Sequence, residues 1–169
     1  MQLRIPVLSL AFLLAAILPL AANPLESELA AMSNSCWERT YDAAHLKAHP
    51  KQLVTKIRLS TEVQDDGNIY ASLGINLRQR DGAGRFDYKA YGYCQPKGGA
   101  LACPSEWDAG TFSLEKGRNG ALKIKNSRMI VNPSEYDSED IADNAVDLGK
   151  SDDAVWLLTR IKDEGCGIY

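Results

Sequence analysis

Residues 51–77 read KQLVTKIRLSTEVQDDGNIYASLGINL. In 51–63, Leu53, Thr55, Ile57, Leu59 and Val63 fall on one side, and Lys56, Arg58, Ser60 and Glu62 on the other. That period of two is the mark of a half-buried strand. Asp65-Asp66-Gly67-Asn68 then supplies turn residues, which bend the chain back through local side-chain hydrogen bonds and the freedom of glycine. Over 69–77 the alternation repeats, with Ile69, Ala71, Leu73, Ile75 and Leu77 inward and Tyr70 and Asn76 outward, followed by Arg78 and Arg80 on the same outer side. Strand, tight turn, strand is an antiparallel hairpin, and it sets the fold class.

Outward from this hairpin the pattern continues. Asp81-Gly82-Ala83-Gly84 is a second turn, and the aromatic-rich 85–94 (RFDYKAYGYC) a third strand. Residues 110–116 and 121–131 form a further hairpin around Gly117-Arg118-Asn119-Gly120, and 154–162 (AVWLLTRIK) is a last strand. Before the strands, 25–32 and 41–48 are short helical candidates, the second stopped by Pro50. Six strands with one apolar face each must curl, close or be covered. The expected fold is therefore mainly β: a small antiparallel meander closing into a barrel or strongly curved sheet, with one or two short N-terminal helices. In outline it resembles a lipocalin-type calyx. That family's sequence marks are absent, so the likeness carries no function.

Residues 1–22, MQLRIPVLSLAFLLAAILPLAA, place one cation, Arg4, before an uncharged apolar run that ends in Ala21 and Ala22. This is the layout of a secretory signal peptide. The run of about 16 residues is short of the roughly 20 that span a bilayer as a helix. The expectation is a cleaved signal, no membrane anchor after cleavage, and one β-rich domain over 23–169 in the periplasm or extracellular space.

Such a compartment gives the four cysteines their meaning. Cys36, Cys94, Cys103 and Cys166 make an even set, which in an oxidising environment reads as a disulfide framework. Cys94 and Cys103 flank QPKGGALA, a loop able to fold back on itself. They are expected to pair, leaving Cys36 with Cys166. No Cys-x-x-Cys occurs, and the spacings match no zinc cluster.

The 169 residues carry 19 Lys+Arg and 22 Asp+Glu, a net charge of -3. This argues against a dedicated nucleic-acid binder. The charge is uneven along the chain. Segment 132–153 holds eight acids, Glu135, Asp137, Glu139, Asp140, Asp143, Asp147, Asp152 and Asp153, against Lys150 alone. It reads as an acidic loop insertion able to steer a basic partner. Clustered carboxylates also suit calcium, but the EF-hand spacing is absent.

Asp42, His45 and His49 are the metal candidates, because His45 and His49 sit one helical turn apart. Against them stand Pro50 directly after His49, the absence of a His-Glu-x-x-His motif, and no identifiable third ligand beyond Asp42. The plainer reading is a pair of surface or capping histidines. On the third strand, Phe86, Tyr88 and Ala90 are expected inward, with Tyr91 and Tyr93 on the other face beside charges. Those two tyrosines, with Lys97, Trp107 and the acids Glu135, Asp137, Glu139 and Asp140, are the candidate partner contacts; packing on the helices or Trp107 is the alternative for the tyrosines. No nucleophile elbow, phosphate-binding glycine loop or redox pair appears.

The sequence thus favours an exported non-catalytic binding protein, an inhibitor or ligand carrier, needing no cofactor and meeting a protein or small molecule outside the cytoplasm. A small metal-dependent enzyme using His45 and His49, and a structural envelope component, are the alternatives.

Overall fold

A computed structural model describes residues 24–31, 35–78, 86–134, 141–162 and 166–168. The signal-like segment, and Glu135, Asp137, Glu139 and Asp140, lie outside the described residues. A helix α1 (Pro24–Ala31) leads into strand β1 (Ser35–Thr40) and helix α2 (Ala43–Ala48). Then come β2 (Val54–Val63), β3 (Ile69–Leu77), β4 (Tyr88–Lys97), β5 (Ala100–Pro104), β6 (Gly110–Lys116) and β7 (Leu122–Pro133). A two-residue β8 (Val146–Asp147) and β9 (Val155–Ile161) complete the sheet.

The strands form a closed eight-strand antiparallel barrel, as the alternating pattern predicted. β1 to β7 follow one another round the wall, and β9 lies between β7 and β1. β8 is a short flap on β7, pairing Val146 and Asp147 with Val131 and Ile130. Near one end β7 passes β6 and pairs directly with β4, through Asn132↔Lys89 and Pro133↔Tyr88. The β5–β6 pair is therefore a wedge between β4 and β7.

Three elements depart from the sequence reading. β1 falls between the two helical candidates, where no strand was expected; among its side chains only Trp37 joins the apolar core cluster, too little for a visible alternation. β5 replaces the expected loop, because Gly98 and Gly99 both adopt positive φ (57° and 82°) and make a tight hairpin turn. In β2 the register shifts between Val54 and Lys56. Val54 and Ile57 both turn inward across that bulge, which leaves Thr55 half-buried. From Ile57 on the alternation is regular, with Leu59, Thr61 and Val63 opposite the inward Leu73, Ala71 and Ile69.

The barrel interior is filled. Trp37, Leu59, Leu73, Leu101, Phe112 and Ile124 meet there with Trp156 and Leu158, as expected of a barrel whose width suits side chains. Leu25 and Leu29, one turn apart on α1, add to this core, and Lys116 Nζ lies 2.6 Å from Glu28 to tie the helix to β6. The outer face carries Glu38, Lys56, Arg58, Glu115, Lys123 and Lys125 in ion pairs. An apolar inside with a charged outside is the reverse of a barrel built to face lipid. Among the described residues no helix is long and apolar enough to cross a membrane.

Both expected disulfides are present: Cys36–Cys166, separated by 130 residues, and Cys94–Cys103, separated by 9. The second joins facing positions of the β4–β5 hairpin inside the core, with Cα atoms 4.1 Å apart. The first lies on the outside of the wall, since Trp37 beside Cys36 points inward.

Candidate functional site: the outer face of β2, β3 and β4

Antiparallel register sets Tyr70 of β3 opposite Tyr93 of β4, and Ser72 opposite Tyr91. All three tyrosines leave the outer face, because Ala71, Leu73, Ala90 and Cys94 take the inner one. The Tyr70 and Tyr93 ring centroids are 4.9 Å apart at 52°, and Tyr70 and Tyr91 are 5.9 Å apart and nearly parallel at 11°. Lys89 Nζ stands 6.0 Å from the Tyr91 centroid, and Tyr93 is 48% exposed. The aromatic partner of both Tyr91 and Tyr93 is thus Tyr70 on the neighbouring strand, a residue the sequence had marked only as outward-facing. Lys97 is exposed on the same side of β4, two residues past Gln95. Trp107 sits in a 3-10 turn, Glu106–Asp108, whose preceding residue Ser105 bridges Gly92 of β4.

Farther along the same wall, Phe86 corrects an expectation. It is buried, but on the outside of the barrel, because the strand starts only at Tyr88 and the alternation does not extend back to 86. Its ring lies in a notch left by Gly74, where an added Cβ would come within 2.6 Å of Phe86 Cγ. Lys56 Nζ and the Arg58 guanidinium stand 5.3 Å and 5.4 Å from the ring centroid. Tyr88 and Ala90 do point inward as expected.

Asp42, His45 and His49 come together at another end of the molecule. The Asp42 carboxylate accepts from His45 N–H at 2.7 Å and so caps α2. Gln52 donates to the Val54 carbonyl at 2.8 Å, which turns its Oε1 toward His45 Nε2 at 3.0 Å. That oxygen only accepts, so the contact is a hydrogen bond when His45 Nε2 is the donor. The His45 ring stacks between Tyr41 (4.6 Å) and His49 (4.4 Å). Arg78 closes the end of α2 by donating to the carbonyls of Leu46, His49 and Gln52. Among the described residues no three His, Cys, Asp or Glu side chains gather as a metal site. The side chain that caps α2 is that of Asp42, while His49 stands at the C-cap through its backbone N–H to the His45 carbonyl.

The acidic segment divides in two. Asp153 is 1% exposed and accepts from Leu53 N (2.7 Å), Val54 N (3.3 Å), Ser151 Oγ (2.6 Å) and Trp156 Nε1 (3.3 Å). It is an internal brace that joins the start of β2 to the start of β9. Asp147 accepts from Gly149 N at 2.9 Å, while Asp143 and Asp152 are exposed. Charge composition alone gave no means of separating Asp153 from its solvated neighbours. Burial pushes the Tyr41 phenol up, Arg39 opposes this, and Asp153 adds to it.

No family model matches the chain, nor does any curated protein or solved structure. Two disulfides in a small β-barrel are compatible with an exported protein, since such bonds persist in oxidising compartments.

Proposed function

We propose that the protein is an exported, non-catalytic binding protein that meets a protein or small-molecule partner with the outer face of β3 and β4. The observation that carries this reading is the Tyr70–Tyr91–Tyr93 cluster, with Tyr93 half exposed on a rigid wall. Tyrosine presents a large apolar face and a hydroxyl at low entropy cost, which makes it a good contact anchor. The filled interior favours an external contact of inhibitor type over a carrier that encloses its ligand. A barrel stapled at two places orders little on binding, so more of the contact energy reaches affinity.

The test is cross-linking of the exported fraction of the native host, comparing wild type with Tyr91→Ala/Tyr93→Ala and with His45→Ala/His49→Ala. Loss of an anchor of this kind is expected to weaken binding by about ten-fold or more. The tyrosine variant should lose the partner and the histidine variant keep it. The opposite pattern would move the function to α2.

A further inference from the structure

Cys166–Ile168 lie on the outer side of β1, β2 and β3 and form a short strap. Three contacts fasten this strap. Cys166 is bonded to Cys36. Arg58 Nη1 donates to the Gly167 carbonyl at 3.2 Å, while Arg58 Nε and Nη2 hold Glu38 at 2.8 Å and 2.7 Å. Ile168 is 4% exposed, and its Cγ2 lies 3.0 Å from the point where a Gly74 Cβ would stand. Gly74 therefore makes a notch on the outside of the barrel that Phe86 and Ile168 fill together.

The two disulfides differ in access. Cys94 and Cys103 are 2% and 0% exposed inside the core, and Cys36 is 2% exposed, but Cys166 is partly open to solvent. We propose that Cys36–Cys166 is a redox-sensitive latch: a dithiol reductant opens it selectively, releases the Cys166–Ile168 strap and uncovers the apolar notch of Phe86 and Gly74 while the barrel stays folded. This goes beyond the binding role proposed above and does not depend on it.

In the step, one thiolate of the dithiol attacks Cys166 Sγ and the Cys36–Cys166 S–S bond breaks. Cys36 leaves as a thiolate and takes a proton. The second thiol of the reductant then attacks its own sulfur in the mixed disulfide, freeing Cys166 as a thiol. Two electrons and two protons pass to the protein, and the reductant ends as a disulfide. Cys166 is the least buried of the four cysteines, so attack falls there first and the buried pair is spared. The barrel keeps its hydrogen-bonded closure through β1–β9, which pairs Cys36, Trp37 and Glu38 with Ile161, Arg160 and Thr159 without the strap.

The experiment is timed reduction of the full mature protein by dithiothreitol under native conditions, followed by alkylation, peptide mass spectrometry and far-UV circular dichroism. Cys36 and Cys166 should be alkylated about ten-fold or more faster than Cys94 and Cys103, given the difference in access. The strand signal should persist. A Cys36→Ser/Cys166→Ser variant supplies the released state without reductant, and should bind an apolar dye that oxidised wild type does not. Equal or earlier opening of Cys94–Cys103, loss of the strand signal together with the latch, or a folded variant that binds no dye would each overturn the proposal.

Discussion

Asp153 shows how one residue can be read wrongly from its neighbours. It belongs to the most acidic stretch of the chain, yet its carboxylate is caged by two backbone N–H groups, a hydroxyl and an indole. Replacing it by alanine strands those donors in a buried site, so Asp153→Ala should cost about 3 kcal/mol in urea unfolding. Asp153→Asn, which keeps an acceptor oxygen, should cost less. Gly74 carries the second prediction at this scale. A methyl group there meets the Phe86 ring at 2.6 Å, so Gly74→Ala should destabilise by about 1–3 kcal/mol through overpacking. Phe86→Ala should relieve that added cost, and a double-mutant cycle would measure the coupling.

Between strands β6 and β7, Glu115 faces two lysines, with Lys125 Nζ at 2.5 Å and Lys123 Nζ at 3.4 Å. The hydrogen bond from Lys125 is the main cause that holds the Glu115 carboxyl below its usual range, against a smaller opposing effect of burial. A depressed carboxylate stabilises the fold at pH above its unfolded value, and that contribution is lost as pH falls through the lower, folded value. An NMR titration of the side-chain carboxyl should therefore give a low midpoint that returns toward normal in Lys125→Met.

The long hairpins were legible because their alternation ran for nine or more residues, as in β3, whose five predicted inward positions are all buried. β1 and β5 were not, since strands of six and five residues give too few alternations to stand out. The glycine pair after Lys97 was itself a hairpin signal, read instead as a loop. The site was legible only in half. Tyr91 and Tyr93 stood out as outward aromatics, but their stacking on Tyr70 depends on inter-strand register, which no single strand records. Phe86 was misplaced because alternation was extended past the point where the strand begins.

For the molecule as a whole, closure is redundant. Hydrogen bonds run round eight strands, α1 joins the core at Leu25 and Leu29, and two covalent bonds tie the wall. By loop entropy the 130-residue closure of Cys36–Cys166 is worth about 5 kcal/mol and the 9-residue closure of Cys94–Cys103 about 3 kcal/mol. Denaturant unfolding of the two Cys→Ser double variants should rank them in that order. On the function proposed above, the partner meets the outer surface of this barrel at the tyrosine cluster. Native mass spectrometry of the protein, gently purified from its own host, tests this most directly. A partner mass present on wild type and absent from Tyr91→Ala/Tyr93→Ala is the predicted result. A bound metal lost in His45→Ala/His49→Ala, or a partner that survives the tyrosine substitutions, would contradict it.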